Sequence, residues 1–530
     1  MATLTDISRA FISRGVILTE NDAAIITALT TTQRDELYAT LTEFPESDFA
    51  RVKGHIGRFA RLFEHIDKDT FYTLKQDLVA HHGKAFFDDM IGCYEQALTT
   101  RTDWEIAFSY EEYEKKRVYA DFVQHYRNRH KQIADILKGR YELRDALPAR
   151  RIATKNDRES IAYIGIVNER TETKNGNIVI SADDPTGTLT LIAHKSKPDV
   201  VAACQDLVPD EVVGFRGTKS KDAVFIDDVI WPDVPVDSPM RTSEEDIGAV
   251  FISDVQYGRQ FLHHEFNAFC TWLAGGSEEH RELAANTKYL FIVGDVVDGI
   301  GIFPSQHEEL DVPDIHAQFD HVAAYLKLIP EHITIFICAG NHDPVRLAEP
   351  QPVIPYEYIK PIADLPNVVL VSNPSSVTIG KSTRSSGLEV LLYHGYSFDY
   401  YAQNVDSIRE SGGYDAPVEI MKFLLKRRHL APTHASTLYI PDIRKDYHVI
   451  ERIPDIFATG HIHRMQAGTY RSTTLLQCGS WMGKTAFEEK LGHHPEPAKA
   501  FHVNLKTRKV SHIDFITPER ERLLKEKGWL

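Results

Sequence analysis

The sequence predicts a multidomain α/β protein, with a helical segment first, a small β-barrel next, and then a larger domain in which buried strands alternate with helices. Three observations carry that expectation. The chain has 530 residues, more than one core accommodates, since domains usually hold about 100 to 200. Between about residues 150 and 240, short strands are separated by tight-turn signals. Beyond residue 247 the strands become continuous apolar runs, as expected where both faces are covered.

Composition narrows the function classes. A hydrophobic share of 42% and a charged share of 26% are ordinary globular values, which exclude wholesale disorder, collagen and a multi-span membrane protein. The 5 Cys lie far apart with no CxxC pair, so neither a disulfide framework nor a Cys-based zinc module is expected, and a reducing cytoplasm is the expected setting. No run of about 18 apolar residues occurs and the first twenty residues lack an apolar core, so no signal peptide, anchor or membrane association is expected. A net charge of −16 argues against a protein that coats nucleic acid with its whole surface, while leaving room for a local site.

Residues 1–45 read as a helical docking module: Thr19 to Asp22 resembles a capping box, and Ala24, Ile25, Ala28 and Leu29 follow at helical spacing. Residues 46–145 read as a charged helical linker region, with a charged run from Tyr110 to Arg117 and then Phe122, Tyr126, Ile133 and Leu137 at steps of one or two helical turns. In 146–240 the period shortens. Ile161 to Val167, Ile178 to Ile180, Leu189 to Ile192, Val212 to Gly217 and Ala223 to Ile226 are strand candidates, with an Asn175-Gly176 hairpin turn. Five short strands suit an OB-type barrel, a fold that binds single strands or docks proteins, and Trp231 to Pro235 closes it. In 241–530, Val250 to Ser253, Tyr289 to Val293, Ile333 to Cys338 and Val390 to Tyr393 are the continuous runs.

Each of these runs ends in a polar cluster at the strand's C-terminal edge, where α/β sheets place their ligands. The clusters are Asp254-Val255-Gln256, Gly294 to Asp298, Gly340-Asn341-His342-Asp343 and His394-Gly395, and a fifth, Gly460-His461-Ile462-His463, follows Ile456 to Ala458. Carboxylates, imidazoles and one amide on short Gly-containing loops suit a pair of hard or borderline divalent cations. A lone buried His or Asn is more often a satisfied core polar group, and it is the ordered set that reverses this. Lys426 to His429 reads as a solvated helix end or, through Arg428 and His429, as a DNA-backbone contact.

The five clusters in this order resemble the signature of calcineurin-like metallophosphoesterases, a group that includes protein phosphatases, phosphodiesterases and Mre11-like nucleases. The resemblance implies an α/β/β/α sandwich for 241–530. It further implies one metal on Asp254, Gln256, Asp295 and His463 and another on Asp295, Asn341, His394 and His461, with His342 contacting the scissile phosphate and protonating the leaving oxygen. Gln256 departs from the usual His, and a neutral amide is the poorer donor. Asp343 either holds His342 in its tautomer or bonds the loop backbone, and Asp298 either orients His463 or caps a helix.

A narrower resemblance covers about 120 to 500, to the small subunit of the archaeal D-family DNA polymerase. It is carried by Phe122-Val123 with Arg129, Thr173 to Gly176, Asp183 to Gly187, Trp231 to Pro235, Gly294 to Gly301, Ala348 to Pro352, Arg428 to Pro432 and Ile453 to Asp455. It implies a Mn²⁺-supported 3′-5′ exonuclease, with Fe²⁺, Zn²⁺ and Mg²⁺ as alternative metals. The implied partners are a large polymerase subunit, single-stranded and primer-template DNA, and the sliding clamp through the holoenzyme, in a nucleoid-associated cytoplasmic setting. The alternatives are a catalytically impaired assembly subunit and a free-standing phosphodiesterase.

Overall fold

The apolar runs beyond residue 247 form strands whose successive side chains enter two different cores. In the computed structural model, which describes residues 35, 103–113, 115–382, 385–485 and 494–530, the strands are β1 (Trp104–Ser109), β2 (Ser160–Glu172), β3 (Ile178–Asp184), β4 (Gly187–Ala193), β5 (Val212–Ser220), β6 (Ala223–Ile230), β7 (Gly248–Ile252), β8 (Thr287–Val293), β9 (Thr334–Cys338), β10 (Val368–Leu370), β11 (Ser375–Ile379), β12 (Leu388–Leu392), β13 (Ile456–Thr459), β14 (Gln466–Tyr470), β15 (Thr473–Gln477), β16 (Lys499–Asn504) and β17 (Val510–Asp514). One sheet runs β1-β11-β12-β13-β15-β14 and a second runs β10-β9-β8-β7-β16-β17. Ala249, Phe251, Tyr289, Phe291 and Val293 face Val377, Val390 and Ile456 between the sheets. Their neighbours Val250, Ile252, Leu290 and Ile292 face outward. This is the period-two alternation of a strand buried on both faces.

Helices cover both outer faces. α2 (His263–Leu273), α3 (Ile315–Leu326) and α4 (Tyr356–Ala363) pack through Phe266, Phe269, Phe319, Val322 and Ile359 on the β7-β8-β9 side, after α1 (Tyr119–Leu137) and the barrel in chain order. α5 (Phe398–Asn404) and α6 (Pro417–Arg427) pack through Tyr401, Ile420 and Leu424 against Leu391, Phe457 and Leu475 on the other. The result is an α/β/β/α sandwich. β7, β8 and β9 are mutually parallel, as are β12 and β13, so the loops that follow them emerge along the same edge of each sheet. Phe251, Phe291 and Phe336 stack across the parallel strands with centroids 4.8 and 5.0 Å apart, fixing their register.

β2 to β6 close into a five-stranded barrel in the order β2-β3-β4-β6-β5, filled by Tyr163, Ile180, Leu191, Phe215 and Ile226. The strands coincide with the candidates of 146–240. The expected helical module at 1–45, residue 35 apart, and the part of 46–145 that precedes residue 103 lie outside the described residues. Within 46–145 the expectation of helix holds for α1 and fails for Trp104–Ser109. That stretch is the edge strand β1, antiparallel to β11, with Trp104 and Ile106 against the inter-sheet core. Its alternating Trp, Ile and Phe is a strand pattern, and the charged run beside it obscures the signal.

Barrel and sandwich belong to one compact unit, 104–530. Two buried polar clusters join them. Arg129 on α1 gives Nε to Asp446 at 2.7 Å and one terminal nitrogen to the Pro432 carbonyl at 2.6 Å. Arg427 at the end of α6 pairs with Glu211, which precedes β5, at 2.9 Å, and Trp231 Nε1 donates to the same carboxylate at 3.2 Å. Arg428 and His429 are therefore neither a solvated helix end nor a DNA surface. They are 4% and 1% exposed; Arg428 donates to the carbonyls of Ile450 and Glu451, and His429 Nε2 donates to Asp446 at 2.9 Å.

Candidate metal centre

The loops after β7, β8, β9, β12 and β13 bring the candidate ligands together. Ligand atoms of Asp254, Asp295 and His394, all buried, lie within 4.8 Å of one another. His394 Nε2 is 3.3 Å from Asp295 Oδ2 and 3.0 Å from Asn341 Oδ1, and His463 Nε2 is 3.3 Å from Asp254 Oδ1. Gln256 Nε2 donates to Asp295 Oδ2 at 3.2 Å. Asp295 thus touches both Gln256 and His394. His461 is oriented otherwise: its backbone N–H donates to Asp254 at 3.0 Å, while Nε2 meets Asp399 Oδ2 at 3.0 Å.

The backbone is strained to achieve this. Asp254, Gln256, Asp295, His461 and His463 all have φ between 43° and 72°, a region that costs a non-glycine residue roughly 1 kcal/mol or more. Such conformations persist where surrounding structure over-determines them. Two glycines clear the space: a Cβ on Gly340 would lie 2.2 Å from Asp295 Oδ1, and one on Gly294, at φ +81°, 2.3 Å from His394 Nδ1. His394 Nδ1 donates to the Val293 carbonyl at 2.9 Å, and its own N–H is taken by Asn373 Oδ1 at 2.9 Å, so Nε2 is the nitrogen turned to the carboxylates.

The buried carboxylates and imidazole shift one another. Burial opposes charge on His394, but Asp295 and Asp254 outweigh it and lift the imidazole from 6.5 to about 10. Burial also opposes ionisation of Asp295, yet His394 and His342 hold that carboxyl well below the usual range. Gln256 Oε1 is buried and has no hydrogen-bond partner among the described residues. An orphaned amide oxygen beside two carboxylates, an imidazole and the Asn341 oxygen fits a divalent cation of the oxygen- and imidazole-binding kind.

Of the two supporting residues, Asp343 takes the second of its two expected roles and Asp298 takes one that was not expected. Asp343 holds the loops, not the His342 ring: it accepts the N–H groups of Gly340 at 2.8 Å, Val296 at 3.0 Å and Val297 at 3.3 Å. Burial and the charge of Asp295 push it up to about 8. Asp298 serves His342, not His463. Its carbonyl accepts His342 Nδ1–H at 2.9 Å, with its carboxylate 3.6 Å from the same nitrogen. Sequence reasoning missed Asn373, Asp399, and Arg259, which reaches Asp298 at 3.5 Å. Asn373 stands 21 residues from the histidine it holds, and nothing in its local sequence marks it.

Fold and site together define a calcineurin-like phosphoesterase domain, and residues 249–465 match the family model of that description. Over longer spans the chain is similar to proteins named DNA polymerase II small subunit. That of Methanocaldococcus jannaschii is 38% identical over 390 residues, 73% of this chain and 64% of that one, so the match spans just under two thirds of that relative's length. That of Methanothermobacter thermautotrophicus is 36% identical over 372 residues, 70% and 74% of the two chains. That of Halobacterium salinarum is 35% identical over 392 residues, 73% of each. The chain belongs to this family of archaeal polymerase small subunits.

Proposed function

We propose that the chain is the proofreading subunit of an archaeal D-family replicative polymerase, a 3′-5′ exonuclease that hydrolyses phosphodiester bonds at single-stranded or mismatched DNA 3′ ends. It works bound to a large catalytic subunit, for which it is also a scaffold. The observation that carries the reading is the convergence of Asp254, Asp295 and His394 within 4.8 Å, beside the unpartnered oxygen of Gln256. In this reading Asp254, Gln256, Asp295 and His463 hold one cation and Asp295, Asn341, His394 and His461 the other. Two such ions, Mn²⁺ foremost with Fe²⁺, Zn²⁺ or Mg²⁺ as alternatives, supply Lewis acidity and neutralise charge building on phosphorus.

The chain's own groups do the rest. His342 lines the cavity over the site; with Nδ1 committed to the Asp298 carbonyl, its Nε2 is the nitrogen left to give a proton to the leaving 3′ oxygen. Asp343 fixes the Gly340 and Val296 loops on which Asp295 and Asn341 ride. For His461 to act as a ligand, its Nε2 must leave Asp399, a carboxylate that can hold the ring for entry. The barrel is an OB-type platform in this reading, and the polymerase supplies duplex-binding surface that a net charge of −16 does not.

One observation favours a second reading. The Gln256 amide donates to Asp295, competing for the carboxylate that is to bridge, which suits an assembly subunit with an impaired site. Release of nucleotides from a 3′ end in Mn²⁺, absent in Asn341→Ala, separates the two.

A further inference from the structure

The cavity over the candidate ligands has a volume of ≈ 520 Å³ and a mixed lining. Asp295, Asn341 and His342 are polar members of it, and Ile302, Phe303 and Met482 are apolar ones. Inorganic phosphate or a small phosphomonoester uses only the polar members. An aromatic and aliphatic lining in the same cavity as a phosphodiester site is accounted for when the substrate carries a flat apolar group close to its phosphate.

Phe303 and Ile302 are held in place. The Phe303 ring has the Arg259 guanidinium 4.9 Å from its centroid, and Arg259 pairs with Glu309 at 2.7 Å further along the same loop. The Ile302 N–H donates to Gln306 Oε1 at 2.9 Å, and Gln306 Nε2 donates to the Asp298 carboxylate at 2.8 Å. Asp298 is the residue whose carbonyl takes His342 Nδ1. The ring and the histidine are therefore positioned by one connected set of polar contacts, although their loops are separate in sequence. Ile302, one of the lining residues, keeps 36% of its surface exposed, an apolar side chain open to solvent beside a polar centre.

We infer that Phe303 is the stacking platform for the base of the nucleotide being released, making the cavity a nucleotide subsite and not a bare phosphate site. This rests on the phosphodiester reading above and adds its substrate-side recognition. An aromatic face accepts any base, which suits an enzyme that removes whatever nucleotide ends the strand.

The test is calorimetric titration of the full chain in Mn²⁺ with thymidine 5′-monophosphate and with 2-deoxyribose 5-phosphate. Base stacking predicts that the wild type binds the nucleotide roughly 5- to 150-fold more tightly, from the usual range for one stacked base. Phe303→Trp keeps the preference; Phe303→Ala loses it while still binding the sugar phosphate as the wild type does. Equal affinities in the wild type, binding of neither compound, or a preference that survives in Phe303→Ala overturns the proposal. Strand shortening, assayed separately, tests the nuclease reading. A chain that shortens no strand yet prefers the nucleotide keeps the subsite and loses the nuclease, and a chain that cuts without preference does the reverse.

Discussion

Replacing Asp446 by alanine should loosen the junction of α1 with the sandwich. The Asp446 carboxylate is buried among Arg129 at 2.7 Å, His429 at 2.9 Å and His125 at 3.4 Å. Removing it leaves a guanidinium, itself buried, with only carbonyls for partners. Breaking a buried ion pair by deleting one member costs about 3–5 kcal/mol. For a cooperative unit of roughly 400 residues, at about 2.1 cal/mol/K per residue, the unfolding entropy is about 0.8 kcal/mol/K, so the melting temperature should fall by about 4–6 °C. The exposed pair Lys131–Asp135 supplies the comparison, since such pairs contribute about 0–1 kcal/mol and Asp135→Ala should move the melting point by about 1 °C or less. Differential scanning calorimetry reads both. If Asp446→Ala melts within the shift of Asp135→Ala, the junction is not held by this cluster.

The same cluster sets a pH dependence. Burial lowers His125 to about 4 and His429 to about 3, both below the unfolded 6.5, so the unfolded chain binds more protons and stability should fall as pH drops from about 6.5 toward 4. For His125 alone the eventual loss is ~3 kcal/mol. His448, which burial would lower, is instead lifted to about 9 by Asp446 and Glu349; its contribution is complete below 6.5 and fades as pH rises through 9. Melting temperatures between pH 4 and 10 should therefore decline at both ends. Gly340→Ala, whose Cβ would press on Asp295, should abolish the rise in melting temperature that Mn²⁺ gives the wild type. Asn373→Ala, which frees the N–H of His394, should weaken Mn²⁺ binding about 10- to 100-fold, measured by titration with the metal.

Much of the fold was legible because period-two alternation and continuous apolar runs are local signals. Val250 to Ser253 and Tyr289 to Val293 announced doubly covered strands, and the polar clusters at their ends announced the site. Residues 104–109 escaped because a six-residue strand beside a charged run carries too few alternations to stand out. The two readings open for Asp343, and the contact of Asp298 with His342 instead of His463, could not be decided from sequence because both residues neighbour the motif while their partners are set by loop geometry. The left-handed backbone at Asp254 and Asp295 has no sequence signature in residues of that type. Arg428 and His429 looked like a basic surface because the groups that take their N–H donors, the carbonyls of Ile450 and Glu451 and the carboxylate of Asp446, are brought to them only by the tertiary fold.

The most direct test of the central claim is degradation of 5′-labelled single-stranded DNA in Mn²⁺ by the wild type, His342→Ala and Gln256→His. The account predicts that the wild type shortens the strand from its 3′ end and that His342→Ala does not. Cutting by Gln256→His alone, with an inert wild type, would contradict it and identify the chain as an assembly subunit whose first metal position is impaired.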